Sequence, residues 1–123
     1  MSTRVEAERQ GRLAEALAAL FLAMKGYRIL ARRFRAREGE VDLVVWQRAP
    51  KPDGTVCFVE VKWRPTLAEA IEAIGVKQRL RLARAAEAFL VRNRFLGSAA
   101  VRFDVVLLAP GAWPRHLRDA WRP

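Results

Sequence analysis

Two segments decide how this chain folds: Gly39-Glu40-Val41-Asp42-Leu43-Val44-Val45-Trp46-Gln47 and Thr55-Val56-Cys57-Phe58-Val59-Glu60-Val61-Lys62-Trp63. Both are dense in β-branched and aromatic residues and read as strands. Between them, Arg48 to Gly54 carries Pro50, Pro52 and an Asp53-Gly54 pair, which marks a loop. A loop this short joins antiparallel neighbours. Strand side chains alternate between faces. Glu40, Asp42 and Val44 therefore share one face, with Val41, Leu43 and Val45 on the other. In the partner strand Phe58, Glu60 and Lys62 share a face, and Cys57, Val59, Val61 and Trp63 take the opposite one. If Trp46 pairs with Val56, Asp42 falls opposite Glu60 and Glu40 opposite Lys62.

Like charges facing each other across a sheet are destabilising. Buried carboxylates must be paired, protonated or bound to metal. Lys62 offers one compensation. A hard divalent cation such as Mg²⁺, which takes carboxylate oxygens and keeps waters, offers another. A solvent-facing strand on which charges merely alternate fits the same spacing.

Outward from the hairpin, residues 3–25 read as a helix. Leu13, Leu17, Leu20, Phe21 and Met24 recur at the spacing of a buried stripe, and Gly26 is placed to cap the end. On that wheel Glu15 lies with Ala18, Ala19 and Leu22, nearly opposite the leucines. It is the one charge between Leu13 and Met24, and it faces either solvent or a partner. Residues 27–35 read as a first strand. After Pro65, Thr66 can cap a helix running to Asn93, with Gly75 a point of interruption. Val101 to Leu108 form a last strand. Pro110 to Pro123 are a tail whose Trp113, Leu117 and Trp121 suggest a packed helix or turn. The order α-β-β-β-α-β describes an α/β fold, a central mixed sheet flanked by helices. Residues 1–123 make one domain of ordinary size, with 110–123 packing on it.

Basic residues number 23 against 13 acidic, a formal charge of +10. That balance makes nucleic acid or another polyanion the leading partner. Arg supplies 19 of the 23 and suits bidentate phosphate contacts. The basic residues cluster. Arg28, Arg32, Arg33, Arg35 and Arg37 fall in one run with no acid. Lys77, Arg79, Arg81, Arg84, Arg92 and Arg94 fall in another that holds only Glu87. Such runs are either solvated faces or a groove that tracks a phosphate backbone. One Cys and one His exclude a disulfide framework and a Cys/His zinc site within the chain. The apolar run from Leu13 to Met24 is too short to span a bilayer, and no cleavage signal follows it. A cytoplasmic protein with no membrane partner is expected.

Gly39-Glu40-Val41-Asp42-Leu43-Val44, followed by Phe58-Val59-Glu60-Val61-Lys62-Trp63-Arg64, resembles the YraN family of small bacterial proteins. These are classed as predicted endonucleases with the restriction-endonuclease-like PD-(D/E)xK fold. Gly11 and Glu15 look like that family's first-helix motif, with Gly26-Tyr27 closing the helix. Lys77 and Arg81 match its basic second helix, and Arg102-Phe103-Asp104-Val105-Val106 its last core strand. The resemblance implies a restriction-endonuclease-like core. It also implies that Asp42 and Glu60 are metal ligands, joined by the Val61 carbonyl and by Glu15. Lys62 would activate water or stabilise the phosphate, and Glu40 would be a further ligand or water holder. The family carries Asn where this chain has Arg33.

The resemblance thus implies a Mg²⁺- or Mn²⁺-dependent nuclease acting on DNA, with branched or structured DNA as the substrate class. Many resolvases of this fold act as dimers, which extends to an expectation of a homodimer. The rival expectations are a non-catalytic nucleic-acid-binding module of the same fold and a basic RNA- or ribosome-associated protein.

Overall fold

The computed structural model describes residues 3–72 and 75–123. Helix α1 (Thr3–Met24) leads into β1 (Arg28–Ala36), β2 (Gly39–Gln47) and β3 (Thr55–Trp63). Helices α2 (Leu67–Glu72) and α3 (Val76–Arg92) follow, then a short 3-10 turn, β4 (Ala100–Leu108) and β5 (Arg115–Leu117). One mixed sheet runs β1-β2-β3-β4-β5. Only the β3–β4 pair is parallel, because α2 and α3 provide the long crossover a parallel pair requires.

The hairpin register supposed above is the one that forms, with Trp46 opposite Val56. The α1 terminus also forms as its sequence suggests. Gly26 takes φ +95, and the Tyr27 N–H donates to the Leu22 carbonyl at 3.0 Å, closing the helix at a position suited to glycine. Thr66 accepts the Glu69 N–H at 3.2 Å and so caps α2.

The helix expected from Thr66 to Asn93 is interrupted where Gly75 allowed it, with Gly75 extended at φ −88, ψ 169 ahead of α3. Residues 73 and 74 of that stretch lie outside the described residues. Two other expectations need correction. The tail contributes a strand where a helix or turn was expected: β5 pairs antiparallel with β4, and Trp121 stacks on Phe103 with centroids 4.3 Å apart.

The second correction concerns α1. Its buried face is Ala14, Glu15, Ala18 and Leu22, while Leu20 is 58% and Met24 78% exposed. Leu13 and Leu17 are exposed too. The sheet face below already carries Leu43, Val45, Cys57, Val59 and Val106. A helix face built on alanine can approach that filled layer closely. The larger leucines are turned outward, and Glu15 is turned in.

The second layer, on the other side of the sheet, packs Leu82, Ala86 and Phe89 of α3 on Val41, Val44, Val56, Phe58, Phe103 and Val105. Gly39 sits under α3 where a Cβ would come 2.3 Å from the Arg81 carbonyl oxygen. The β1–β2 turn and the start of α3 are therefore held in near backbone contact.

Candidate active site

Strict alternation in β2 fails near Asp42. Val41 and Val44 both join the α3 layer, whereas Leu43 and Val45 join the α1 layer. β1 breaks its alternation at the same rung, where Ala31 and Phe34 both join the α3 layer. Arg32 pairs Leu43 and Phe34 pairs Val41, and between them Arg33 takes φ +53. A left-handed residue inside a strand breaks its two-residue repeat. Asn tolerates this conformation better than Arg does, which gives the departure from the resembled pattern at Arg33 a physical meaning.

The β2–β3 ladder runs from Gln47–Thr55 to Leu43–Val59. Beyond that point β3 continues against β4 alone, from Glu60–Val105 to Trp63–Leu108. The Val61 N–H is therefore left without a β2 carbonyl, and Asp42 Oδ2 accepts it at 2.8 Å. Asp42 thus stands in the gap where the two strands part, its carboxylate replacing a main-chain acceptor.

Glu60 lies in that gap and is 6% exposed. Burial pushes its carboxyl well above the ordinary range, and the Asp42 charge and a hydrogen bond to Asp42 add to the rise. Lys62 opposes the shift, with Nζ 3.4 Å from Glu60 Oε1. The expected cross-strand pair of Glu40 with Lys62 does not form. Lys62 pairs along its own strand, and Glu40 ion-pairs with Arg35 at 3.2 Å in a largely exposed contact. Asp42 and Glu60 are therefore brought together, while Glu40 stays at the rim.

Glu15 enters from α1. Arg33 Nε lies 2.9 Å from both of its carboxylate oxygens. Burial raises the Glu15 carboxyl, the Arg33 hydrogen bond pulls it down, and the Asp42 charge raises it again. A cavity of about 310 Å³ is lined by Gly11, Arg12, Glu15, Arg33, Asp42 and neighbouring residues. A second, of about 70 Å³, joins Glu40, Asp42 and Glu60 to Gln78 and Arg81 of α3. Gln78 was missed in the sequence. The available signal was its place one turn before Arg81 on the same helix.

No group of three or more His, Cys, Asp or Glu among the described residues converges on one point. The donor set that does converge is the Asp42–Glu60 pair. It fits a hard cation that needs only one or two carboxylates and otherwise keeps its waters. Arg28, Arg32, Arg33, Arg35 and Arg37 are all exposed along β1 and its turn, as are Lys77, Arg79, Arg81 and Arg84 on α3.

A second polar cluster sits away from this gap. Asp104 is fully buried. It accepts two hydrogen bonds from Arg102 at 2.8 Å, one from His116 Nε2 at 2.7 Å and the Asp119 N–H at 3.0 Å. Lys25 Nζ lies 2.7 Å from His116 Nδ1, so the network assigns the proton of a neutral ring to Nε2. Burial alone would raise the Asp104 carboxyl, but its donors hold it down at about 2. Cys57 is buried, and burial together with the Asp104 charge pushes its thiol up to about 12, so it is no nucleophile at neutral pH.

Residues 14–108 match the model of the family described as "Uncharacterised protein family UPF0102". The chain belongs to the UPF0102 family. The chain is 51% identical over 120 residues to the UPF0102 protein amb4503 of Paramagnetospirillum magneticum, covering 94% of this chain and 89% of that one. It is 48% identical over 112 residues to a UPF0102 protein of Methylorubrum extorquens, covering 91% and 84%. The UPF0102 match spans α1 from Ala14 through β4 and so contains Glu15, Asp42, Glu60 and Lys62. Among the described residues of this UPF0102 chain, no helix is long and apolar enough to cross a membrane.

Proposed function

We propose that this UPF0102 protein is a metal-dependent nuclease of the restriction-endonuclease-like kind that its resemblance to the YraN family implies. It would hydrolyse phosphodiester bonds in DNA, with branched or structured DNA as the substrate class. The observation that carries this reading is the Asp42–Glu60 pair, a buried carboxyl set against a half-buried one with Lys62 beside them. Such a pair is destabilising unless a proton or a cation neutralises it.

Asp42 and Glu60 would hold Mg²⁺ or Mn²⁺, joined by the Val61 carbonyl as the resemblance implies. Bound there, the cation supplies a water of lowered pKa and polarises a phosphoryl oxygen. The chain's own groups do the rest. Lys62 presents a largely buried ammonium at the same point, where it can orient the attacking water or stabilise charge on the phosphate. Gln78 and Arg81 close the gap from α3. The exposed arginines of β1 and the basic residues of α3 hold the flanking phosphates.

One observation favours a non-catalytic nucleic-acid-binding module: Arg33 already neutralises Glu15. The two readings separate in one experiment. Wild type, Asp42→Ala and Lys62→Ala are incubated with linear, single-stranded, flapped and four-way-junction DNA, and with RNA, in Mg²⁺ or Mn²⁺. Cleavage by wild type, reduced at least about 100-fold in both variants while circular dichroism is unchanged, is the expected result. Binding without cleavage of any substrate selects the binding module.

A further inference from the structure

Arg33 sits on β1 at the rung facing Asp42, between the Arg32–Leu43 and Phe34–Val41 pairs. Its φ of +53 disfavours an arginine by about 1–2 kcal/mol. That backbone turn accompanies a side chain that reaches α1 and sets Nε 2.9 Å from each oxygen of Glu15. The two partners differ in exposure: the Glu15 side chain is 10% exposed and that of Arg33 38%. Neither Nη group of Arg33 has an acceptor among the described residues. The guanidinium is thus held through Nε alone, and Arg33 lines the same cavity as Glu15 and Asp42.

A guanidinium fork matches the oxygens of a phosphodiester. A carboxylate beside a second carboxylate matches a hard cation. At present these two groups satisfy each other. We infer that Arg33 is a positioning residue: it withholds Glu15 from the Asp42–Glu60 pair until a backbone phosphate takes the guanidinium, which frees Glu15 for the cation. The inference rests on the nuclease reading above. It makes phosphate and cation binding cooperative through one side chain, and such coupling is reciprocal.

The test reads metal affinity, not activity. Mn²⁺ binding is titrated by the loss of the free-ion electron paramagnetic resonance signal. The proteins are wild type, Asp42→Ala, Glu15→Gln, Arg33→Asn and the Arg33→Asn/Glu15→Gln double variant. Arg33→Gly is made alongside, because glycine accepts φ +53 without strain and covers the case in which Arg33→Asn fails to fold. The expected result is that Arg33→Asn and Arg33→Gly bind Mn²⁺ about tenfold more tightly than wild type. The double variant should lose that gain, so Glu15→Gln weakens binding at least about fivefold more in the Arg33→Asn background than alone.

If wild type binds Mn²⁺ and Asp42→Ala does not, but the Arg33 variants match wild type, the inference is wrong and the nuclease reading stands. If Glu15→Gln weakens binding equally in both backgrounds, Glu15 is not withheld and the inference is again wrong. If neither wild type nor the Arg33 variants bind Mn²⁺, the cation site itself is wrong.

Discussion

Replacing Glu60 by Gln should make the protein more stable at neutral pH while removing its response to metal. The reasoning starts from burial: Glu60 is 6% exposed, and its carboxyl is raised from 4.5 by burial and by Asp42. A carboxyl raised on folding binds protons more tightly in the folded chain than in the unfolded one. By linkage, its contribution is neutral below the unfolded pKa, and stability then falls as pH rises until the folded pKa is passed. One pKa unit is about 1.4 kcal/mol. With the Lys62 attraction set against burial, the instability at pH 7 is on the order of 1–3 kcal/mol. Glutamine keeps the shape and a hydrogen bond to Asp42 and has no proton to lose.

Urea unfolding of wild type and Glu60→Gln in EDTA at pH 5, 7 and 8.5 measures the gap. It should be under about 1 kcal/mol at pH 5, favour the variant by about 1–3 kcal/mol at pH 7, and widen again at pH 8.5. Adding Mn²⁺ at about 100 times its dissociation constant should stabilise wild type by about 2.7 kcal/mol and leave the variant unchanged. A variant that is less stable than wild type at every pH, or a gap that does not change with pH, would refute the claim that the two carboxyls are crowded against each other.

Two further outcomes follow from the packing. Leu22→Ala should destabilise by about 2–5 kcal/mol and Leu20→Ala by less than about 0.5 kcal/mol, measured by urea unfolding, because only the first opens a cavity; equal losses would place the leucine stripe in the core. Asp104→Ala should cost about 3–5 kcal/mol by leaving Arg102 and His116 without their acceptor. Because the Asp104 carboxyl is held down at about 2 from 3.8, its stabilisation is present above 3.8 and is lost as pH falls toward 2. Wild type should therefore lose stability between pH 4 and 2 in a step that the variant lacks, read by circular dichroism at each pH.

The hairpin was legible in the sequence because both of its strands carry the β signal and the loop carries its own Pro and Gly punctuation. The Trp46–Val56 register was supposed, not dictated by that loop, and it is the one that forms. The faces of β3 were legible for the same reason: its alternation is unbroken from Cys57 to Trp63. The faces of β2 were not, since the break at Asp42 is shared with Arg33 of another strand. The orientation of α1 was misread because hydrophobic spacing locates an apolar stripe but not what it meets. The sheet below was already filled by Leu43, Val45 and Val59, so alanine faced it. His116, placed by sequence in a tail, became part of a buried network once β5 added to β4.

By itself the sequence determined which residue types were available to the site and which strands would carry them: Asp42 on β2, Glu60 and Lys62 on β3, Glu15 on the first helix, and a basic excess around them. These follow from local periodicity and charge. Tertiary structure alone decided that β2 and β3 part beyond Leu43 and Val59, so that Asp42 takes the Val61 N–H and meets Glu60 instead of pairing across a ladder. It also decided that Glu15 points inward onto Arg33. The physical reason is that burial and charge pairing are settled between elements distant in sequence, and no single stretch of chain contains both sides of the contact.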